Sequence, residues 1–438
     1  MARSQKNNIK VPYALSIHDH REARAVARVI NEHRTLLGKE TNAFEKSVAN
    51  IFGKTYGVMV NSGSSANLLA FEILNLPPRS EVITPVLTFN TTVAPLIQKG
   101  LVPVFIDVKP GSYLIDVDRI EKKITKKTKA LMIPSLIGNI PDMARLRDIA
   151  DKYGLYFIED SCDTIGATYH GKPTGIWSDI STTSFYGSHV INAAGGGGMI
   201  CVNNQDWYRR LLVLRGWGRT SALFEESEDL EKRFTATLHN IPYDNKFIYT
   251  ELGYNFLPLE MSAAFGLVQL QKLPRFTAMR QKNFARIFSF FSHLTNLFEL
   301  PEQTPNSTTN WLAFPLIIKE EAPFSRIELV TFLEKNGIQT RPVFGGNILH
   351  QPVFSPRATS HAGYAIPSLL QRSSFVRLAI QNHKQAAFPI ADRIMRQAFL
   401  IGCHQGLTKK HLTHLCNTFK TFLKLYAQQK NLNRSILL

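Results

Sequence analysis

Short apolar runs separated by longer amphipathic segments dominate the first half of the chain. Between residues 56 and 202 these runs are rich in Val, Ile and Phe, and they read YGVMVN, EVITP, VPVFIDV, ALMIPS, YFIED, STTSF and GGMICV. Runs of this length without polar alternation are typical of strands that are covered on both faces, and the segments between them are long enough for helical crossovers. The pattern predicts an α/β fold with a mostly parallel sheet flanked by helices.

The pattern changes in the C-terminal part of the chain. Residues 311–318 (WLAFPLII) resemble a strand, and residues 325–337 resemble a helix that Ser325 opens and Gly337 closes. Residues 411–426 repeat apolar positions at three- and four-residue steps, as in a packed amphipathic helix. We therefore predict three parts: a large α/β domain over residues 1–274 that includes an N-terminal helical segment, a smaller α+β domain over residues 275–430, and a flexible tail over residues 431–438.

Composition narrows the class of protein. Lys and Arg outnumber Asp and Glu by 51 to 34, so the net charge of +17 favours anionic partners. The basic residues form no stripe or block, and no Cys/His spacing is typical of a metal site, so we expect phosphate-bearing small molecules rather than nucleic acid. The four cysteines lie far apart and no apolar run is long enough to span a membrane. We expect a cytoplasmic protein without a membrane partner or a bound metal.

Two polar sites follow predicted strands. In VNSGSSANLLAFEIL the strand ends at Val60 and a helical pattern begins directly, with Ser62, Gly63 and Ser64 between them. Amide groups at a helix N-terminus bind phosphate well, although ordinary capping is the commoner use of such residues. Asp160 follows the strand YFIED, at the sheet edge where α/β proteins bind ligands. This carboxylate could hold a protonated heterocycle nitrogen or cap a helix, and both interpretations remain open at this point.

The third site is the segment STTSFYGSHVINAAGGGG, residues 181–198. A strand ends near Phe185, and Ser184 and Ser188 offer hydroxyl groups for a phosphate. His189 follows in a segment that we do not expect to be helical. A lone histidine is usually structural, but this one shares its loop with a candidate phosphate site, which favours a functional role.

These sites, taken in order, resemble the DegT/DnrJ/EryC1/StrS sugar aminotransferase family, which is built on the fold-type-I pyridoxal-phosphate scaffold. The resemblance covers residues 38–422 and rests on seven stretches: VNSGSSANLLA, TFNTTVAPLIQKGLVPVFIDV, EDSCD, SFYGSH, IPYDNKFIYTELGYNFLPLEMSAA, TRPVFGGNILHQPVF and ADRIMRQAFLIGCHQGLT. His189 occupies the position of the family's cofactor-binding lysine. In this respect the chain looks most like the nucleotide-sugar 3-dehydrase branch, which includes CDP-6-deoxy-hexulose 3-dehydrase and GDP-4-keto-6-deoxymannose 3-dehydratase.

The resemblance implies a role for each matching residue of the site. Residues that would hold the cofactor phosphate are Ser62, Gly63, Ser64 and Ser184. Residues around the cofactor ring would be Phe89, stacked on its face, Asp160, paired with its nitrogen, and Asp163, near its ring oxygen. Asn255 would reach a phosphate across the interface of a homodimer with shared active sites, and Arg341 and His350 are weaker candidates for substrate contacts.

Histidine in place of lysine changes the implied reaction. Histidine cannot anchor the cofactor covalently, but it can act as a general base near neutral pH. The resemblance therefore implies non-covalent pyridoxal or pyridoxamine 5′-phosphate, with His189 and Asp160 as catalytic residues. It further implies loss of the C3 hydroxyl from a nucleotide-linked 4-keto-6-deoxyhexose, with glutamate as amino donor. Deoxysugar or lipopolysaccharide O-antigen biosynthesis is the corresponding pathway class.

Three departures from the family pattern keep an alternative open. An iron–sulfur cluster of the kind found in the CDP-linked dehydrase needs four thiolates. Cys162 matches one of them, but residues 215–234 contain no cysteine, so we expect no cluster. Residues 195–198 read GGGG where relatives often have Gly-Glu-Gly-Gly, and Val190 replaces a second histidine. The alternative is an aminotransferase-like protein of this family with altered or lost activity, acting as a cofactor-binding partner.

Overall fold

A computed structural model describes residues 9–224, 230–354 and 387–430 of the chain, so the predicted tail over 431–438 lies outside the described residues. The α-helices are α1 (His20–Asn31), α2 (Lys39–Phe52), α3 (Gly63–Leu74), α4 (Asn90–Gln98), α5 (Met143–Tyr153), α6 (Gln205–Arg215), α7 (Leu230–Arg233), α8 (Glu260–Phe291), α9 (Arg326–Lys335), α10 (Pro389–Gln397) and α11 (Lys409–Gln429). The strands of the large sheet are β1 (Tyr56–Val60), β2 (Glu81–Pro85), β3 (Val102–Ile106), β4 (Thr128–Pro134), β5 (Tyr156–Asp160), β8 (Ile180–Ser184) and β9 (Gly198–Val202). The remaining strands are β6 (Thr168–Tyr169), β7 (Lys172–Pro173), β10 (Ala236–Leu238), β11 (Ile241–Tyr243), β12 (Phe298–Glu299), β13 (Ser307–Thr308), β14 (Phe314–Ile318), β15 (Thr340–Arg341) and β16 (Ala398–Ile401).

The large sheet has seven strands in the order β1-β9-β8-β5-β4-β2-β3. Pairing is parallel from β8 through β5, β4 and β2 to β3, and β9 runs antiparallel to both of its neighbours. Apolar clusters cover both faces of this sheet, as its continuous apolar strands require. This confirms the predicted α/β class and mostly parallel sheet. The carboxyl ends of β1, β5 and β8 consequently meet at one edge.

A second sheet, in the order β12-β14-β16-β15, is antiparallel throughout and packs against α9 and α11. Helix α9 begins as predicted, because Ser325 and Glu328 form a reciprocal cap. The strand predicted over residues 311–318 is partly wrong, since β14 begins only at Phe314. Trp311 has a φ of 30°, which an extended strand does not allow, and the next residue bonds to the Ile137 carbonyl instead.

Helix α8 connects the two sheets over its 32 residues and passes through residue 274, where we placed the domain boundary. The domain division itself stays a prediction. One side of α8 carries buried polar residues, namely Gln269, Lys272, Arg280 and Asn283. Throughout the described ranges, no helix has the length and apolar character needed to cross a membrane.

Candidate active site

The N-terminus of α3 lies at the carboxyl end of β1. Ser62 caps this helix, and its hydroxyl accepts a hydrogen bond from the Ser65 amide at 3.1 Å. The capping interpretation is therefore correct for Ser62. The amides of Gly63 and Ser64 belong to the first turn and have no partner within the helix, so they remain available to an anion.

Gly63 allows the residues that are predicted to bind the cofactor phosphate to lie close together. A Cβ atom at this position would lie 2.7 Å from Ser184 Cβ and 2.8 Å from Cys162 Sγ, so only glycine fits between β5 and β8. The first turn of α3 therefore faces the Ser184 hydroxyl across a glycine-sized gap. This donor set of amides and hydroxyls suits the phosphate of the implied cofactor.

Asp160 ends β5 and is only 5% exposed. Its carboxylate accepts hydrogen bonds from Asn67 Nδ2 and Thr92 Oγ1, each at 2.9 Å, and from the Cys162 amide at 3.2 Å. No helix follows Asp160 directly, so the helix-cap interpretation of this residue is wrong. Thr182 donates to Asn67 Oδ1 at 2.6 Å and thereby orients that amide. The carboxylate is thus fixed in one orientation inside the fold, as pairing with a ring nitrogen requires.

Asp163 lies one turn further along the same loop. Its Oδ2 accepts a hydrogen bond from the Ile137 amide at 2.9 Å. Burial, with a further contribution from the charge of Asp160, raises the pKa of Asp163 to about 7. The carboxyl group is therefore partly protonated at neutral pH and can donate a hydrogen bond as well as accept one.

Phe89 lies between β2 and α4, beside a segment of the second sheet's domain. Its side chain is 53% exposed and meets the Phe344 ring edge-on, with ring centroids 6.2 Å apart. The two rings line a cavity of about 460 Å³ together with Thr88, Asn90, Gly345, Ile348, Gln351, Pro352 and Val353. An exposed aromatic face at the edge of a cavity is suited to stacking on a planar ring.

His189 lies in the loop between β8 and β9, outside any helix as predicted. Its Nδ1 lies 3.3 Å from the Ser184 carbonyl oxygen. Burial lowers the pKa of His189 to about 4, despite the opposing effects of the Ser184 carbonyl and the Asp160 carboxylate, and the charge of Arg280 also lowers it. The imidazole is consequently neutral at pH 7. If Nδ1 carries the hydrogen and donates to Ser184, Nε2 is free to accept a proton.

The glycines that follow His189 differ in whether they have room for a side chain. A Cβ atom on Gly198 would lie 2.3 Å from the carbonyl carbon and oxygen of Ser62, so this residue must be glycine. Around Gly196 the nearest atom to such a Cβ, the Asn61 carbonyl oxygen, is 3.8 Å away. The position that departs from the family pattern therefore has room for a side chain. Val190, the other departure, is buried in an apolar cluster.

The remaining candidates lie elsewhere in this single chain. Asn255 is exposed and pairs with Gly216. Arg341 donates to the Thr340 carbonyl at 2.7 Å and lies over the ring of Tyr13. His350 Nε2 lies 2.9 Å from Asp392 Oδ1. None of these contacts joins them to Asp160 or Ser184, so their assigned roles stay predictions.

Sequence reasoning did not identify several polar residues around the site. Asn67 contacts Asp160 from the second turn of α3, and Thr92 contacts it from the first turn of α4. Helical spacing from Gly63 and Phe89 could have indicated both residues. Gln405, from the last matching stretch, donates to the Val190 carbonyl in the His189 loop, and Arg280 in turn donates to Gln405. The resemblance had assigned a role to neither residue. In the described ranges, no group of three or more His, Cys, Asp or Glu residues could hold a metal ion.

This chain is similar to several known proteins along most of its length. The family model described as the DegT/DnrJ/EryC1/StrS aminotransferase family matches residues 16–368. Lipopolysaccharide biosynthesis protein RfbH of Salmonella typhimurium is 38% identical over 399 residues, which cover 89% of this chain and 86% of that protein. GDP-4-keto-6-deoxy-D-mannose 3-dehydratase of Yersinia pseudotuberculosis is 36% identical over 354 residues, which cover 79% of this chain and 87% of that protein. A crystal structure of GDP-4-keto-6-deoxymannose-3-dehydratase with a trapped PLP-glutamate geminal diamine has a TM-score of 0.77 and 26% identity, covering 93% of this chain and 99% of that one.

Proposed function

This chain belongs to the DegT/DnrJ/EryC1/StrS aminotransferase family, and we propose that it is a pyridoxal-phosphate-dependent dehydratase that removes the C3 hydroxyl from a nucleotide-linked 4-keto-6-deoxyhexose. The observation that carries this proposal is His189, whose Nδ1 lies 3.3 Å from the Ser184 carbonyl oxygen and which the resemblance aligns with the family's lysine. The name of the Salmonella relative supports a role in lipopolysaccharide or related deoxysugar biosynthesis. A cytoplasmic location without nucleic-acid binding stays a prediction.

Different residues of the site would hold different parts of the cofactor. The first turn of α3 (Ser62, Gly63 and Ser64) together with Ser184 would bind its phosphate, because amide and hydroxyl donors converge there. Asp160 would pair with the ring nitrogen, and Asp163 would lie near the ring oxygen. When bound, the cofactor supplies an electron sink that makes loss of a neighbouring hydroxyl possible.

His189 supplies the proton transfer. Its Nδ1 faces the Ser184 carbonyl, so Nε2 is the atom that can accept a proton. Because a histidine forms no covalent link to the cofactor and cannot replace lysine in returning a proton to C4, elimination at C3 is favoured over amination at C4. The amino form of the cofactor would then be restored from glutamate, which the structural relative holds on its own cofactor.

Cofactor chemistry and product analysis together test this function. We expect added glutamate to convert bound pyridoxal phosphate to the pyridoxamine form, and borohydride to leave no cofactor attached to the chain. With GDP-4-keto-6-deoxymannose as probe we expect a 3-deoxy product with release of ammonia. Borohydride-resistant attachment to a lysine, or a 4-amino sugar as product, would overturn the proposal.

A second candidate follows from the two departures in the His189 loop. Val190 and Gly196 stand where active relatives often carry His and Glu, which favours an aminotransferase-like protein with altered or lost activity that binds cofactor as a partner subunit. Retention of the cofactor without turnover of any keto sugar, in the presence of glutamate, would support this candidate. The variant Gly196→Glu, which the structure has room for, should then restore measurable activity.

The homodimer is part of the same proposal. Exposed large apolar side chains are concentrated between residues 217 and 259, a pattern that marks interaction surfaces: Trp217, Leu223, Leu230, Phe234, Leu238, Ile241, Tyr243, Phe247, Tyr249, Leu252 and Leu259. Asn255 lies exposed in this stretch, where it could reach a partner's cofactor. Analytical ultracentrifugation should show a dimer that Leu252→Asp dissociates and that Leu425→Asp, an exposed control on α11, leaves intact.

A further inference from the structure

Residues 251–256 form an irregular segment that carries Asn255, the residue predicted to reach a cofactor phosphate across the homodimer interface. Asn255 is exposed, and its backbone pairs with Gly216 in an isolated antiparallel bridge. An amide side chain binds a phosphate with a defined geometry only when the backbone that carries it is held in place. The contacts that hold this segment therefore bear on cofactor binding.

Tyr254, directly before Asn255, is hydrogen-bonded to α3. Its hydroxyl donates to Glu72 Oε1 at 2.5 Å, and Glu72 is buried in the last turn of that helix. Burial, together with this hydrogen bond, raises the pKa of Tyr254 to about 12, so the hydroxyl keeps its proton at neutral pH. Lys99 Nζ contacts both oxygens of the same carboxylate at 2.8 Å and balances its charge. Glu72 is therefore a fixed acceptor on a regular helix.

Arg210 holds the start of the segment. Its Nε donates to Glu251 Oε1 at 2.6 Å, and its Nη2 donates to Glu251 Oε2 at 3.3 Å. Its Nη1 donates to the carbonyl oxygens of Glu72 at 2.9 Å and of Ile73 at 3.3 Å. One guanidinium group thus joins α6, the last turn of α3 and the segment that carries Asn255.

The end of the segment is bonded to the start of α3. The Asn61 amide donates to the Phe256 carbonyl oxygen at 3.0 Å. Asn61 directly precedes Ser62, the cap of the helix whose first turn is the proposed phosphate site. The rings of Phe256 and Tyr254 stack with centroids 4.5 Å apart and an interplanar angle of 5°. The segment around Asn255 is therefore fixed at both ends to the helix that begins at the phosphate site of its own chain.

We propose that Tyr254 and Glu72 are positioning residues for Asn255, whose amide their hydrogen bond places against the cofactor phosphate of the partner subunit. The inference rests on the homodimer of the proposed function, in which Asn255 serves the neighbouring site. Helix α3 then has two roles. Its first turn binds the phosphate of its own chain, and its last turn sets the donor for the phosphate of the other.

A double-mutant cycle separates positioning from general stabilisation. Tyr254→Phe removes the hydroxyl and keeps the stacked ring, whereas Asn255→Ala removes the phosphate donor, and the two are also combined. Tyr153→Phe is the matched control. Tyr153 donates to Glu121 Oε1 at 3.0 Å, and Lys152 contacts that same oxygen at 2.7 Å, but this pair lies on α5 and has no part in the segment.

The readout is the dissociation constant of pyridoxal 5′-phosphate, measured by equilibrium dialysis, with pyridoxal as a second probe that lacks the phosphate. We expect Asn255→Ala to weaken binding of pyridoxal phosphate roughly tenfold and Tyr254→Phe to weaken it about fivefold. Binding of pyridoxal should change less than about twofold in both variants, because the lost contact is to the phosphate. In the Asn255→Ala background, Tyr254→Phe should have almost no further effect. Tyr153→Phe should bind both probes like wild type.

Two results would assign Tyr254 to the fold alone and overturn the inference. One is an equal loss of affinity for both probes in Tyr254→Phe, and the other is an undiminished effect of this substitution in the Asn255→Ala background. Wild-type affinity in Tyr254→Phe would overturn it as well. Should Tyr254→Phe fail to fold, Glu72→Leu removes the same hydrogen bond from the other side and enters the same cycle.

The outcome is distinguishable from that of the proposed function, because the dialysis needs no sugar substrate. The expected cycle in a protein that makes no 3-deoxy product would reject the proposed reaction and leave the positioning role standing. Analytical ultracentrifugation of each variant accompanies the dialysis. A wild-type chain that sediments as a monomer with cofactor bound would overturn both the homodimer and this inference.

Discussion

The two catalytic candidates, Asp160 and His189, are held in place in different ways. Asp160 receives its hydrogen bonds from Asn67, Thr92 and the adjacent loop, all built on one sheet. Among the described residues, the His189 imidazole has one hydrogen-bond contact, a long one to the carbonyl of Ser184, and its loop is bonded to Gln405, which lies between β16 and α11. Asp160, the proposed cofactor ligand, is thus fixed by sheet topology. The position of His189, the proposed base, depends on how the segment that carries Gln405 packs against its loop.

This difference follows from chain connectivity. The carboxyl end of a buried parallel strand has a defined position, and the helices that follow β1 and β2 begin at the same edge. The β8–β9 connection is a loop of thirteen residues, 185–197, and such a loop takes its position from whatever packs on it. Substitutions of Asp160 and of His189 should therefore differ in which property they change, cofactor binding or turnover, as well as in how much activity they remove.

The largest effect on turnover is expected for substitution of His189, the proposed general base. His189→Asn should lower kcat by roughly 10³-fold, because general base catalysis typically contributes 10²–10⁴. Binding of the cofactor, measured by its absorption and by equilibrium dialysis, should be nearly unchanged, since the histidine is not part of the phosphate or ring-nitrogen site. His293→Asn, at an exposed position, is the control and should retain full activity. A wild-type rate in His189→Asn would refute the assignment of the base.

Asp160→Asn should cost less activity but should weaken cofactor binding. We expect a loss of roughly 100-fold, because a neutral amide no longer keeps the ring nitrogen protonated. The thermal unfolding temperature should stay within a few degrees, since the amide can keep part of the hydrogen bonding to its neighbours. Asp148→Asn, exposed on α5, serves as control for kcat and cofactor affinity. If cofactor affinity and activity survive in Asp160→Asn, the ring-nitrogen role is wrong.

The sequence predicted well where the strands around the candidate site end. The ends of β1, β5 and β8 could be located from apolar runs, and the fold brings Gly63 and Ser184 into contact there. Two local interpretations failed for physical reasons. The strand predicted from residue 311 begins late because of the backbone conformation of Trp311, and Asp160 caps no helix.

The domain-packing part of the site could not be predicted in the same way. Arg280 and Gln405 are 125 residues apart in sequence. Arg280 lies outside the seven matching stretches, and Gln405 lies in the last of them without an assigned role. Arg280 and Gln405 are polar residues that the fold buries. Sequence periodicity predicts only whether a side chain is exposed, and it usually predicts exposure for a polar residue. Their pairing depends on the path of α8 between the sheets, which is a tertiary property.

The pH dependence of stability tests the burial of Asp163. Its pKa in the folded chain is raised to about 7, so folding becomes less favourable as pH rises from about 4 to 7 and the buried group must ionise. Asp163→Asn removes this loss, since the amide stays neutral and can still accept from the Ile137 amide. We expect the variant to gain roughly 4 kcal/mol relative to wild type between pH 4 and pH 8.

Urea unfolding at several pH values measures this gain. His189 has a lowered pKa and acts in the opposite sense, with stability lost as pH falls from its ordinary value of 6.5 towards 4. The comparison must therefore be the difference between wild type and Asp163→Asn at each pH, in which the contribution of His189 cancels. A difference that is independent of pH would show that Asp163 is ionised across the range.

The smallest effects are changes in the free energy of unfolding at Gly196 and Gly198, where the His189 loop joins β9. Gly198→Ala should lower the free energy of unfolding by about 1–3 kcal/mol, because its Cβ would overlap the Ser62 backbone and push β9 away from the start of α3. Gly196→Ala should raise it by about 0.4–1 kcal/mol, since the position is open and alanine reduces the freedom of the unfolded chain. Equal effects at the two positions, measured by urea unfolding, would mean that β9 is not held against the phosphate-binding turn. In that case the end of the His189 loop that joins β9 would be held no more firmly than the part of the loop that contacts Gln405.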